Sequence, residues 1–242
     1  MAEAPARQSL RFLVLYGLAA AGGAVAYVPF LTVLLPVRIT ALSGSDNVGW
    51  LASVTFAGAV AASLANIGFG WLSDRTGQRR LWIALGMAIS CALLVATAQA
   101  TSLGELVAVV FAWQIALNMM LAPLAAWAGD TVPDSQKGLL GGLLACAPAL
   151  GALAGALVTY PGLANAEQRP AGVALLVAAM VLPALVLGRP QRMPHLLADT
   201  GGVQAAASRR PRQPLLAVRM WIARLLVQIA EAALFAYLFF WL

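Results

Sequence analysis

Five polar or ionisable side chains interrupt long apolar runs of this sequence, and they are its clearest candidates for chemistry: Tyr27, Gln114, Asn118, Gln228 and Glu231. Gln114 and Asn118 are four residues apart, so they share one face of a helix. Glu231 follows Gln228 by three residues, well inside the last apolar run. An ionised carboxylate at membrane depth costs at least about 2.5 kcal/mol, so such groups face a cavity or a partner, and proton transfer is a recurrent use.

Each of these residues also has a structural interpretation. Gln114 and Asn118 can join neighbouring helices by hydrogen bonds, which are worth less than about 2 kcal/mol each inside a membrane. Glu231 can be neutral, or it can pair with Arg224 two turns earlier for structural reasons. The sequence leaves both interpretations open.

Residues for other site chemistry are scarce. His195 is the single histidine, and Cys91 and Cys146 lie in separate apolar runs, where cysteine is usually a small buried hydrophobe. The chain contains no hydrolase, metalloprotease or nucleotide-binding motif. We therefore predict no enzymatic activity, no metal site and no cofactor.

The amino-acid composition indicates the surroundings in which this chain folds. Of its 242 residues, 62% are hydrophobic and only 10% are charged. Soluble domains contain roughly 45–50% apolar and about 25% charged residues. This composition argues against a soluble enzyme, a nucleic-acid binder and a disordered chain, and it favours the lipid bilayer as the surroundings.

Seven apolar runs are long enough to cross a membrane. A helix rises 1.5 Å per residue and the hydrocarbon core is about 30 Å thick, so roughly 20 residues suffice. No alternating barrel pattern is present, and only helices satisfy their own backbone groups in lipid. We predict an all-α polytopic membrane protein with spans at residues 12–37, 48–72, 81–101, 104–128, 138–160, 171–188 and 216–242.

The basic residues divide unequally between the two sides of these spans. Only Arg38 and Arg169 fall on one side. The other side, counting the first turns of the last run, has thirteen: Arg7, Arg11, Arg75, Arg79, Arg80, Lys137, Arg189, Arg192, Arg209, Arg210, Arg212, Arg219 and Arg224. Cytoplasmic loops are enriched in Lys and Arg, so the N-terminus is predicted to be cytoplasmic. The net charge of +6 then reflects membrane orientation, not nucleic-acid binding.

Loop lengths predict the domain organisation. The loops between the first six spans are about ten residues or fewer, which favours one six-helix transmembrane bundle over residues 1–188. Residues 189–215 are longer, polar and rich in Arg and Pro, which is typical of a cytoplasmic linker. Residues 216–242 form the predicted seventh transmembrane helix.

The turn after the second span carries a motif with the order Gly-x-x-x-Asp-Arg-x-Gly-x-Arg-Arg, formed by Gly70, Asp74, Arg75, Gly77, Arg79 and Arg80. It resembles the signature of the major facilitator superfamily, which recurs at this location. Gln78 stands where that family usually has a basic residue, and Asp130 ends the fourth span, where family members often place an acid.

Physical chemistry assigns a role to each part of this motif. Gly70 is expected to allow close helix approach, and Gly77 a left-handed turn. Asp74 can pair with a neighbouring arginine or cap a helix, and we expect Arg75 to pair with Asp130. Such a cluster can latch one conformation of a transporter, because opening that end must break it. Plain interfacial anchoring is the alternative.

The resemblance implies a secondary active transporter of the cytoplasmic (inner) membrane that moves a small solute by alternating access. In such transporters helices one, four, seven and ten line the cavity. The first three of these contain Tyr27, Gln114, Asn118, Gln228 and Glu231, which are therefore assigned to the substrate or proton pathway. We expect an ion gradient, with protons as the ion, to drive transport, because the sequence contains no nucleotide-binding loop.

Seven spans are a little over half of the twelve helices that the resemblance implies. We therefore expect the chain to be truncated, with the seventh helix starting a C-terminal bundle, and to pair with that missing half or with a second copy. The alternative is a half-size membrane protein that does not transport but acts as an assembly, sensing or partner subunit.

Overall fold

A computed structural model of the protein describes residues 7–43, 47–191 and 193, together with separate helical positions at 215, 219, 222, 223, 226 and 230. The predicted linker at 189–215 falls almost entirely outside this range, and the predicted seventh helix is represented only by the separate positions from 219 onward. Gln228 and Glu231 lie outside the described residues.

Six helical spans confirm the first six predicted membrane crossings. The sequence placed each of them correctly, with ends that differ by a few residues. In chain order, the first to sixth spans are Leu10–Ser43, Val48–Thr76, Arg79–Gln99, Leu103–Thr131, Asp134–Val158 and Arg169–Leu187. The described residues contain helices and turns and no strand, as an all-α membrane protein requires.

Three of the spans are composite. The first joins an α-helix at Leu10–Pro29, a π-helical turn at Phe30–Leu34 and an α-helix at Leu35–Ser43. The third ends its helix Arg79–Ala96 with a 3₁₀ turn at Thr97–Gln99. The fifth consists of a 3₁₀ turn at Asp134–Gln136 and helices at Lys137–Ala145 and Ala147–Val158. The other three are single helices at Asn47–Thr76, Leu103–Thr131 and Arg169–Leu187.

Proline explains the π-helical turn in the first span. Pro29 and Pro36 lack an amide hydrogen, so the regular α-helical pattern of hydrogen bonds is interrupted around both. Such an interruption is tolerated at membrane depth where protein covers it, and Phe30 and Leu34 are buried. The Thr32 hydroxyl donates to the Val28 carbonyl at 2.7 Å, which satisfies one backbone group locally.

The packing of the spans does not follow their order in the chain. The first span packs mainly against the fifth and sixth, and the fourth packs mainly against the second and third. Contacts between the third and sixth spans, and Phe30 against Trp113 at 4.6 Å between ring centroids, join the two groups. In the most apolar stretch of each span, 67% of residues are buried in the first and 56% in the fourth, against 28% or 33% elsewhere. The first and fourth spans therefore form the centre of the bundle.

Glycines let backbones meet at these contacts. A Cβ atom built on Gly86 in the third span would lie 2.8 Å from the Met119 carbonyl carbon of the fourth. One built on Gly151 in the fifth span would lie 3.0 Å from the Ala24 carbonyl oxygen of the first. Lipid gives helices no hydrophobic reason to associate, so close approach through small residues supplies the packing energy.

Hydrogen bonds define two ends of the bundle. Gln8, the loop from Thr131 to Gln136, and Gln191 are bonded together at one end, near Arg79 and Asp130, and we call this the basic end. At the opposite end, Arg38 donates to the carbonyl oxygens of Ala98 and Ala100. The N-terminal segment and the loops at 73–80 and 129–137 therefore share one end, as the order of the predicted spans requires.

Candidate functional site

The turn between the second and third spans has the tight geometry that its glycine predicted. The second span ends at Thr76, Gly77 follows with φ +64°, and the next helix begins at Arg79. The Gly77 amide donates to the Ser73 carbonyl at 3.0 Å, which closes the last turn. A residue with a side chain rarely adopts this left-handed conformation, so Gly77 fulfils the role expected of it.

Arg79 is the centre of the charge cluster at the basic end. Its Nη1 pairs with Asp74 and donates to the Ser73 hydroxyl at 2.6 Å. Its Nε and Nη2 both lie 3.0 Å from Asp130 Oδ2. The Arg79 side chain is only 15% exposed. One guanidinium thus joins the ends of the second, third and fourth spans.

One expectation about the motif was wrong. Arg75 does not pair with Asp130; its guanidinium lies 5.5 Å from the centroid of the Trp71 ring, one turn earlier on the same helix. Arg79 takes the place of Arg75 because the Gly77 turn reverses the chain and carries the next helix over Asp130. At Gly70 no described helix approaches closely, since a Cβ atom there would meet none of the described atoms within 4 Å.

Arg80, the last motif residue, is exposed and forms no ion pair within the described part of the chain.

The three charges in this cluster oppose their own helix dipoles. Arg79 is the first residue of its helix, where a cation is unfavourable, and Asp74 and Asp130 lie in the last turns of theirs, where anions are unfavourable. Each unfavourable placement costs about 0.3–1 kcal/mol for exposed groups. Local helix stability therefore does not explain these residues. Their mutual pairing does.

Two residues of the basic end carried no recognisable signal in the sequence. Ser73 is fully buried and donates to the Gly70 carbonyl at 2.9 Å while accepting from Arg79. Gln8 is 4% exposed and forms five hydrogen bonds of 2.7–3.0 Å, which tie the N-terminal segment to Thr131, Gln136 and Gln191. A single serine or glutamine near a helix end is common, so only the fold reveals these roles.

A second polar cluster lies where the second span crosses the fourth. Asn66 Nδ2 donates to Asn118 Oδ1 at 3.2 Å, and Asn118 Nδ2 donates to the Gln114 carbonyl at 2.9 Å. Asn118 is buried at 8% exposure, whereas Asn66 is exposed on the bundle surface. The structure thus joins Asn118 to a residue that the sequence suggested only for packing.

Gln114 lies one turn from this pair and is half-buried. Its Cγ would lie 3.3 Å from a Cβ atom at Gly58, so the second span passes directly over it. The Gln114 carboxamide has no hydrogen-bond partner among the described residues, although its backbone carbonyl accepts from Asn118. Tyr27, in the first span, is half-buried against a small cluster that includes Ala24 and Ala147.

Comparison with known protein families identifies this architecture. A family model described as Major Facilitator Superfamily matches residues 12–242. The chain belongs to the Major Facilitator Superfamily. No individually curated protein matches it. Membership confirms the resemblance carried by the turn after the second span, and it makes the protein an integral, multi-pass membrane protein of the transporter type.

The exchanged packing agrees with this membership. Each six-helix half of a Major Facilitator transporter is built from two three-helix repeats of inverted topology. Here spans one to three form one repeat and spans four to six the other. The first span packs against the fifth and sixth, and the fourth packs against the second and third, so the first helix of each repeat packs with the other repeat. Spans one to six have the arrangement of one such half.

Proposed function

We propose that this chain forms the N-terminal bundle of a secondary active transporter, which moves a small solute across the cytoplasmic membrane by alternating access and uses a proton gradient. The observation that carries the proposal is the exposed carboxamide of Asn66. It lies on the surface of an apolar span of mean hydropathy 1.7, where a face turned to lipid would be apolar. This face therefore suits an aqueous pathway or a second bundle.

Neighbouring groups support the same face. Gln114 brings to the same crossing a carboxamide that has no hydrogen-bond partner among the described residues, and Asn118 accepts a hydrogen bond from Asn66. A solute with hydroxyl, amide or carboxylate groups can exchange hydrogen bonds with such side chains, as small-molecule sites generally use a few placed polar groups in an apolar lining. We propose Gln114, Asn118 and Tyr27 as pathway residues contributed by this bundle.

Alternating access requires a second bundle. We propose that it comes from a C-terminal half or from a second copy of this chain. At the basic end, Asp74 is the most exposed member of the charge cluster at 61%, so one of its oxygens remains available to a facing helix. The cluster would act as a latch, because Arg79 holds Asp74 in position and opening that end would separate Asp74 from the second bundle.

Proton coupling rests on Glu231, with Gln228 beside it on the predicted seventh helix. Both residues lie outside the described part of the chain, and their role follows from the sequence alone. A carboxylic acid at membrane depth binds and releases a proton as its surroundings change between lipid-like and aqueous.

The central experiment measures solute-driven proton flux in inverted vesicles that contain the protein with its second bundle. We expect flux to depend on the imposed pH gradient. Asn66→Leu should reduce it at least tenfold, because the exposed amide is lost from the pathway. Ser63→Ala is the matched control, since this hydroxyl, one turn earlier on the same span, donates to the Ala59 carbonyl of its own helix. The absence of gradient-dependent flux would overturn the proposal.

Glu231→Gln separates coupling from transport. We expect this variant to lose accumulation against a gradient while it retains solute exchange at equal pH on both sides, because the amide does not titrate. The alternative, that the chain is a half-size partner subunit which does not transport, predicts the opposite result. Such a subunit would purify in a stable complex with another membrane protein, and Glu231→Gln would leave its function unchanged.

A further inference from the structure

A cavity of about 80 Å³ lies at the end opposite the basic end, between the first, third and sixth spans. Apolar side chains that include Phe30, Leu34 and Pro170 form part of its wall, and Arg38 and Arg169 contribute two guanidinium groups. Drug-sized ligands occupy about 300–1,000 Å³. This cavity therefore accommodates a single small polar group rather than a whole solute of that size.

Both arginines have unused hydrogen-bonding capacity. Arg38 Nη2 donates to the carbonyl oxygens of Ala98 at 2.9 Å and Ala100 at 2.6 Å, which anchors the end of the third span. Its Nε is buried and has no acceptor in the described part of the chain. Arg169 begins the sixth helix, and its Nε is likewise buried without an acceptor there. Buried donors almost always have a partner, but neither arginine has all of its donors paired within the described part of the chain.

The charge around the cavity is also unbalanced. Arg38 and Arg169 are the two basic residues that the sequence assigns to this side of the membrane, and the fold brings both to one cavity. Glu167 lies on the same wall but is exposed, and the ion pairs of the described residues include neither arginine. Two guanidinium groups that form no ion pair with the described carboxylates favour an anion.

We propose that this cavity binds a phosphate group, held between Arg38 and Arg169. Guanidinium groups match phosphate oxygens in bidentate geometry, and a phosphate offers enough oxygens for two arginines at once. The group can belong to a lipid headgroup at the membrane surface or to a free phosphate ion. This binding is independent of the proposed transport pathway, which lies at the crossing of the second and fourth spans.

The test follows thermal unfolding of the purified chain by tryptophan fluorescence. One arm adds inorganic phosphate in a neutral detergent, with chloride holding the ionic strength constant. The other arm compares the neutral detergent with the same detergent containing phosphatidylglycerol. Binding to the folded protein raises the unfolding temperature, so we expect a rise of several degrees in at least one arm. A rise with inorganic phosphate identifies a free anion site, and a rise with the lipid alone identifies a headgroup site.

Variants tie the response to the cavity. Arg169→Gln should raise the ligand concentration for half-maximal effect about tenfold, because one charge-assisted contact is lost. Arg11→Gln removes the same charge from an exposed position near the basic end and should respond as wild type. If Arg169→Gln fails to fold, Arg169→Lys replaces it in the test. Lysine retains the positive charge but lacks the planar guanidinium that binds two oxygens at once, so we expect Arg169→Lys to weaken binding too. The proposal is overturned if neither arm shifts the wild type, or if the Arg169 and Arg11 variants respond alike.

Discussion

Arg79 satisfies three acceptor side chains at once and is itself mostly buried. Asp130, 38% exposed, has no other ion-pair partner in the described part of the chain, while Asp74 is more open to water. Loss of the guanidinium would leave Asp130 at the end of its own helix with an unfavourable dipole and Ser73 without its donor. The cost is moderated because water can reach both carboxylates.

Arg79→Ala is therefore expected to reduce the free energy of unfolding by about 1–2 kcal/mol, the range for hydrogen bonds to partly solvated charged groups. Thermal unfolding in detergent, and chemical denaturation where it is reversible, would measure the loss. Arg80→Ala is the matched control, since Arg80 is adjacent, exposed and without an ion pair among the described residues. Equal stabilities of the two variants would contradict the central role of Arg79.

The contact between the third and fourth spans is the closest approach of two backbones at a glycine in the bundle core. Gly86 lies against the peptide groups of Met119 and Met120, and the Met120 side chain is fully buried beside it. This approach brings the start of the third span near the end of the fourth, where Arg79 meets Asp130. Helix packing at Gly86 and charge pairing at the basic end therefore depend on the same pair of elements.

Gly86→Ala is expected to separate the two spans and lower stability by about 1–3 kcal/mol, because a Cβ atom there would overlap backbone rather than a flexible side chain. Gly68→Ala is the comparison, since a Cβ atom at Gly68 meets none of the described atoms within 4 Å and alanine favours helix. Thermal unfolding of both variants should show a loss for Gly86→Ala alone. A tolerated Gly86→Ala would mean that the spans are less tightly packed than described.

At the scale of the whole molecule, the six spans form one bundle whose two ends differ in charge. Residues 73–80 and 129–137 lie at the basic end, and the loop around Leu163 lies at the other. The excess of Lys and Arg predicts that the basic end faces the cytoplasm.

Cysteine labelling tests this orientation. In a background with Cys91 and Cys146 replaced by alanine, Ser135→Cys and Leu163→Cys place one exposed thiol at each end. A membrane-impermeant maleimide added to intact cells should label Leu163→Cys and spare Ser135→Cys, and inverted vesicles should reverse the pattern. Labelling of Ser135→Cys in intact cells would contradict the predicted orientation.

The sequence by itself determined the features that depend on local chemistry. The length and hydropathy of the apolar runs were sufficient to predict six spans. A run of about 20 apolar residues is long enough to cross the bilayer, and as a helix it satisfies its own backbone groups in lipid. Gly77 was predictable because a left-handed turn excludes most other residues. The motif around Asp74 was sufficient to indicate the Major Facilitator Superfamily, and the family match confirms it.

Only the tertiary structure decided which distant residues meet. The exchange of the first and fourth spans, the pairing of Arg79 rather than Arg75 with Asp130, and the convergence of Arg38 and Arg169 join residues far apart in the chain. Arg75 and Arg79 are only four residues apart, and what distinguishes them is that Arg79 follows the turn at Gly77 and therefore lies on a different helix. Apolar spans of similar length and hydropathy can pack in many orders, and the choice among them depends on side-chain shape and glycine contacts that no local pattern records.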